Sequence, residues 1–179
     1  TYRQFIKEAK PSYKIYCDLD GVLVEFIGGI MKKLRISREP YQDEINDFLS
    51  TLEGSSWKWW SSLDWTDGGK KLWNTLKDLN TEILSACPQK CNIQPNVVKG
   101  KKMWVSKNLK LTKGVNITTR KGKIKFVGKN TILIDDFIKN VNAWKAAGGI
   151  GIHYKGNAQA TIKELTKHLS NLSPELEVA

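Results

Sequence analysis

The chain has 179 residues, 40% of them hydrophobic and 26% charged, which suits one domain, or one domain with a sizeable insertion, around a self-sufficient core. No apolar run approaches the roughly 20 residues needed to cross a bilayer, so a chain that spans a membrane by helices is excluded. Lys and Arg number 29 against 18 Asp and Glu, and the resulting charge of +11 attracts polyanions or phosphorylated substrates by steering.

Much of this excess lies from Lys99 to Lys129, a stretch without Asp or Glu that reads equally as a solvated face or as a rim for anions. Cys17, Cys87 and Cys91 are an odd number of thiols, which disfavours a disulfide framework. The C-x3-C pair of Cys87 and Cys91 lacks a second Cys or His pair to complete a tetrahedral zinc site. No signal-peptide pattern stands at the N-terminus, and the expected location is the cytoplasm.

In chain order, an apolar strand from Lys14 to Cys17 runs into two carboxylates, Asp18 and Asp20, followed by Gly21. Phe26, Ile27, Ile30, Met31 and Leu34 then recur at helical spacing, as do Tyr41, Ile45, Phe48, Leu49 and Leu52. A tryptophan cluster, SSWKWWSSLDW, follows. Leu72, Leu76 and Leu79 mark a further helix, and TEILSACP a short strand ending in Ser85. KGKKMWVSKNLKL reads as a helix, GVNITT as a strand, and KNTILIDD as a strand that again ends in two carboxylates, Asp135 and Asp136. A helix over FIKNVNAWKAAGG stops at Gly148, IGIHY is a strand, and Asn157 opens the last helix. Strands separated by helices of this length predict an α/β fold with a parallel sheet covered on both faces.

In such sheets ligands bind outside the carboxyl ends of the strands, where Asp18, Asp20, Ser85, Asp135 and Asp136 all fall. Like charges this close repel, and more strongly as water leaves, so a positive charge is expected among them. Carboxylates with only oxygen ligands suit a hard cation, Mg2+ in particular. Taken singly, each acidic pair is explained as a turn or helix cap. Their joint occurrence, each after an apolar strand and with Ser85 between them, points instead to a shared metal and phosphate site. His153 and His168, one in a strand beside apolar residues and one on a helix, read as structural or solvated.

These residues also resemble a family. CDLDGVLV is similar to the first motif, DxDGV, of the haloacid dehalogenase superfamily, ILSA to its second and ILIDD to its fourth. WWSSLDWTDGGKKL, KKMWV, TTRKGK and ILIDDFIKNVNAWKAAGGIGI extend the resemblance, from about Lys14 to Tyr154, to the 5′(3′)-deoxyribonucleotidases and their small phage and bacterial relatives. The resemblance implies a Rossmann-like core, residues 1–25 and 69–179, with a small helical cap, residues 26–68, inserted after the first strand. It implies host cytoplasm if the chain is phage-encoded.

By the same resemblance Asp18 is the nucleophile and Asp20 the general acid and base, and an Asp at position 20 marks phosphohydrolases and phosphotransferases rather than dehalogenases. Mg2+ is held by Asp18, the Asp20 carbonyl and Asp135, with Asp136 acting directly or through water. Ser85 binds the transferring phosphoryl group, with a lysine that spacing from Trp104 puts at Lys101 or, one residue on, Lys102. Substrate contacts are expected from Trp60 by stacking on a base, and from Ala86, Arg120 and Lys123, with the other tryptophans packing cap against core. The expected activity is hydrolysis of (deoxy)nucleoside monophosphates. The second expectation is a nucleic-acid partner: a phosphatase of polynucleotide 3′ or 5′ ends, or a binding protein with a vestigial site.

Overall fold

The computed structural model describes residues 13–52, 56–87 and 94–172. Among them, five strands form one parallel sheet: β1 (Lys14–Cys17), β2 (Thr81–Ala86), β3 (Val115–Thr118), β4 (Thr131–Asp135) and β5 (Ile150–His153), in the order β3-β2-β1-β4-β5. The chain thus winds outward from β1 to one edge, returns, and winds outward again from β4. The strand order reverses between β1 and β4, so a crevice opens there at their carboxyl ends.

Each strand faces two ways, and the alternation decides what covers it. Ile15 and Cys17 share a face with Ile83, Ile132, Ile134 and Ile152. Against it pack α4 (Gly69–Leu76), through Leu72 and Leu76, α5 (Gln94–Leu109), through Val97, Trp104 and Val105, and α7 (Ala158–Leu172), through Leu165. Tyr16, Leu84 and Leu133 point to the other face, where Trp144 of α6 (Ile138–Ala146) closes a smaller cluster with Phe126 and Val127. Burial of one such aliphatic side chain contributes about 1.5–3 kcal/mol, so the sheet is anchored mainly by the first face.

Between β1 and α4 come α1 (Phe26–Leu34), α2 (Gln42–Thr51) and α3 (Trp57–Ser62). Their buried Ile30, Phe48, Leu49, Trp59, Trp60 and Leu63 belong to the same apolar cluster as the first sheet face, so this insertion has continuous packing with the core. The periodicity predicted α1 and α2; α3 takes up the tryptophan cluster, too short a stretch for periodicity to register. Helix α5 begins before the expected KGKKMW stretch, and the TTRKGK loop winds into a 3-10 helix, Lys121–Phe126. Ala147 caps α6 and Gly148 takes the left-handed position that follows, at φ +94°. Asn157 caps α7 with Oδ1 accepting from Ala160 N at 3.0 Å. Cys91 lies outside the described residues, and so does the test of its pairing with Cys87. No helix among the described residues is long and apolar enough to cross a membrane.

Candidate active site

Register places the acidic groups. Cys17 pairs with Ile134, so the next residues, Asp18 and Asp135, stand level on adjacent strands. Cys17 also pairs with Ile83, which puts Ser85 level with Leu19 on the other side. After Asp20 the chain must reverse within the crevice. Leu19 O accepts from Leu23 N and Val24 N, both at 2.8 Å, and Gly21 sits at φ +75°. A Cβ at Gly21 would lie 2.0 Å from Asp136 Oδ2, so the glycine serves both the turn and the close approach of the two acidic loops.

The positive charge demanded by these carboxylates comes in part from the chain. Lys123, on the 3-10 helix and 1% exposed, places Nζ 2.8 Å from Asp18 Oδ2 and 2.6 Å from Asp135 Oδ2. Lys123, an expected substrate contact, is paired with these carboxylates because the 3-10 helix turns its side chain inward. On the other side, Lys101 Nζ donates to Asp20 Oδ2 at 2.6 Å, Ser85 Oγ at 2.9 Å and the Ala86 carbonyl at 2.7 Å. Lys101 therefore enters the site, whereas Lys102 is exposed and lines a cleft outside it. Gly100 lets this happen: a Cβ there would meet Trp60 Cβ at 2.4 Å and Trp57 O at 2.7 Å, so α3 and α5 touch backbone to backbone just before Lys101.

Charges then set the protonation states. Burial raises the Asp18 carboxyl, but Lys123, Lys101 and the Leu19 N–H, 2.7 Å from Oδ1, outweigh it and hold Asp18 below the usual carboxylate range. Burial raises Asp20, Lys101 only partly offsets this, and the charge on Asp18 adds to it, so Asp20 stands above its ordinary value. Asp135 is raised by burial and by Asp18 despite Lys123. Burial lowers the Lys123 ammonium, but the charges of Asp18 and Asp135 outweigh this, and it is pushed up to about 12.

Asp136 is exposed at the rim, yet loss of water around its carboxyl and the charges of Asp18, Asp135 and Asp20 push it up to about 7. Burial first, and then these like charges, disfavour the ionised form of Asp136 even with both lysines in place. Among the described residues, one oxygen from each of Asp18, Asp135 and Asp136 lies within 4.8 Å of the others, a carboxylate set that could hold a hard divalent cation beside the Lys123 ammonium. The Asp20 carboxylate is outside this group because Lys101 holds it. Its Oδ1 is buried without a hydrogen-bond partner among the described residues, an acceptor or donor left for something else.

Two neighbours escaped the sequence reading. Asn140 Nδ2 donates to both Asp135 oxygens, at 3.1 and 3.0 Å, and Phe137 N donates to Oδ1 at 2.9 Å, so the first turn of α6 orients this carboxylate. His153 Nε2 lies 2.9 Å from the Asp136 carbonyl. Asn140 had a legible signal, a polar side chain one turn into the helix that the acidic pair opens; His153 is brought in only by the β4–β5 pairing.

The remaining expected contacts are spread around the rim. Trp60 is 1% exposed, its ring stacked on Phe26 at 5.4 Å, with Lys101 Nζ 5.2 Å from its centroid. It borders the site but presents no open face for a base to stack on, because Phe26, Trp59 and Lys101 pack around it. Ala86 contributes its carbonyl to Lys101. Arg120 is exposed and lies over the Phe137 ring at 4.5 Å.

No family model matches the chain, and no curated protein is similar to it in sequence. Among solved structures, a HAD-superfamily hydrolase from Ehrlichia chaffeensis is similar at 15% identity and a TM-score of 0.49, over 91% of this chain and 98% of that one. A hydrolase from Streptococcus pneumoniae TIGR4 is similar at 12% identity and 0.48, over 88% and 100%. A HAD family hydrolase from Deinococcus radiodurans R1, with bound phosphate and sodium, is similar at 12% and 0.47, over 92% and 98%. The chemistry of the site rests on this chain's own residues.

Proposed function

We propose that this protein is a Mg2+-dependent phosphomonoesterase of the haloacid dehalogenase type, hydrolysing nucleotide phosphates through an aspartyl-phosphate on Asp18. The observation that carries the reading is the bracketing of the acidic pair by two buried ammoniums, Lys123 on Asp18 and Asp135, and Lys101 on Asp20 and Ser85. One carboxylate is held ionised and its neighbour two residues on is held toward protonation, the division of labour that nucleophile and general acid need.

In this reading an Asp18 oxygen attacks phosphorus in line, the P–O bond to the leaving group breaks, and the Asp20 carboxyl passes its proton to the departing alkoxide oxygen. Asp20, now ionised, takes a proton from water. The water oxygen attacks phosphorus, the bond to Asp18 breaks, and phosphate leaves. Lys101 and Ser85 neutralise and orient the equatorial oxygens, and Asn140 keeps Asp135 in register. Asp18, Asp135 and Asp136 would hold Mg2+, which when bound supplies charge neutralisation between the nucleophile and an anionic phosphate.

The test is phosphate release from 5′- and 3′-mononucleotides and sugar phosphates, with Mg2+ or EDTA, for the wild type and Asp18→Asn. Mg2+-dependent release that Asp18→Asn abolishes is the expected result. Release unaffected by Asp18→Asn, or none from any ester, overturns the reading.

A further inference from the structure

Beside the site, on the β3 edge of the sheet, lies an open cleft of about 490 Å³. Val98, Ile117 and Phe126 give it an apolar floor, Thr118 a hydroxyl, and Lys102 and Lys125 a cationic rim. It adjoins the site through the chain itself. Lys102 follows Lys101, Lys125 stands two residues after Lys123, and Thr118 pairs with Ala86, whose carbonyl accepts from Lys101. Between Ile83 and Ile134 the sequence has no Asp or Glu, and Lys107, Lys110, Lys113 and Lys121, on the segments that flank β3 in the chain, are exposed. Glu82, the carboxylate on β2 just before this stretch, is neutralised by Lys14.

Resting on the phosphomonoesterase reading above, we infer that the substrate is the phosphorylated end of a single-stranded polynucleotide, whose terminal phosphate enters the site while the adjoining nucleotide lies in this cleft. A mononucleotide can offer its base to the floor but has no second phosphate for Lys102 and Lys125. A strand has a second phosphate for Lys102 and Lys125 and a base for the apolar floor and the Phe126 edge, the pairing of cations with apolar and aromatic surface that single strands require. The cleft volume falls in the range of small-molecule sites, room enough for one nucleotide unit. An apolar floor is of no use to a bare polyanion, so the base carries part of the recognition.

The test compares the wild type with the double variant Lys102→Ala/Lys125→Ala, neither residue being in the catalytic machinery. The substrates are p-nitrophenyl phosphate, a mononucleotide and an end-phosphorylated single-stranded oligodeoxynucleotide. The expected result is about a tenfold loss of kcat/KM on the oligonucleotide alone. Equal losses on all three, or none on the oligonucleotide, overturn the inference. In parallel, fluorescence anisotropy on the Asp18→Asn protein follows binding of the same oligonucleotide against salt. The slope of log affinity on log salt should weaken by about 0.7 in the triple variant, since the one phosphate that Lys102 and Lys125 share is no longer neutralised. An unchanged slope, or full competition by inorganic polyphosphate, which has no bases, overturns the inference. If no ester is hydrolysed yet the slope weakens as stated, the phosphomonoesterase reading has failed and the cleft as a strand-binding site stands.

Discussion

The ammonium of Lys123 lies 2.8 Å from Oδ2 of Asp18, which gives the first acidic residue of the crevice a cation built into the fold rather than borrowed from solvent. Lys123 is 1% exposed, so the two charges meet where water screens them little. Removing one partner of such a pair leaves the other buried and uncompensated. Lys123→Ala is therefore expected to cost about 3–5 kcal/mol of stability in metal-free buffer near neutral pH, read by urea unfolding. A loss within about 1 kcal/mol would show that the pair is not buried in solution.

Asp20 is raised by burial and carries a proton-bearing role in the proposed reaction. Asp20→Asn keeps the shape and leaves Lys101 its bonds to Ser85 and Ala86. Turnover of a nucleotide should fall about 10²–10⁴-fold. On p-nitrophenyl phosphate, whose leaving group needs no proton, the fall should be much smaller. Equal falls on both esters would remove Asp20 from the acid role.

Asn140 donates to both oxygens of Asp135, so Asn140→Leu frees a carboxylate that the proposed cation needs held still. Mg2+ affinity, measured by calorimetry on the folded protein, should weaken about 10–100-fold with a thermal midpoint close to wild type. Unchanged affinity would leave Asn140 as a helix-turn residue only.

Gly100 stands where α3 and α5 meet, with Trp60 Cβ only 2.4 Å from an added Cβ. Gly100→Ala gains helix propensity but must push Trp57 and Trp60 away from α5. The net expectation is a destabilisation of about 1–3 kcal/mol and a rise in KM as Lys101 shifts. A stabilised, fully active variant would mean that α3 moves freely on α5.

Outside the site, Glu44 accepts from Arg38 at 2.8 Å through each oxygen and from Tyr41 N at 2.7 Å, which lowers its carboxyl to about 2. A carboxyl lowered in the folded state adds stability that is present above its unfolded value, near 4.3, and lost as pH falls toward about 2. In Glu44→Gln the helicity of α2 should lose this acid-side dependence between those values, followed by NMR shifts of its amides. The same titration of those amides in both proteins would show that Arg38 does not hold Glu44 in solution.

The alternation of apolar strands and amphipathic helices was enough to determine a parallel α/β sheet from sequence. The placement of Asp18, Asp20, Ser85, Asp135 and Asp136 at strand ends follows from that, because a parallel sheet aligns its carboxyl ends. Spacing from Trp104 narrows one lysine to Lys101 or Lys102; what the tertiary structure alone decided is which of these two reaches the carboxylates, and that Lys123 joins it. Lys121, Lys123 and Lys125 lie in one basic run with no local feature to separate them. The angle at which α5 packs through Gly100 and the winding of a 3-10 helix without apolar periodicity turn Lys101 and Lys123 inward. Trp60 shows the same limit from the other side: its residue type suits a base stack or a core, and only packing against Phe26 and Trp59 assigns it to the core. Periodicity reports which face of an element is buried, whereas the direction of one long side chain is set by neighbours distant in sequence.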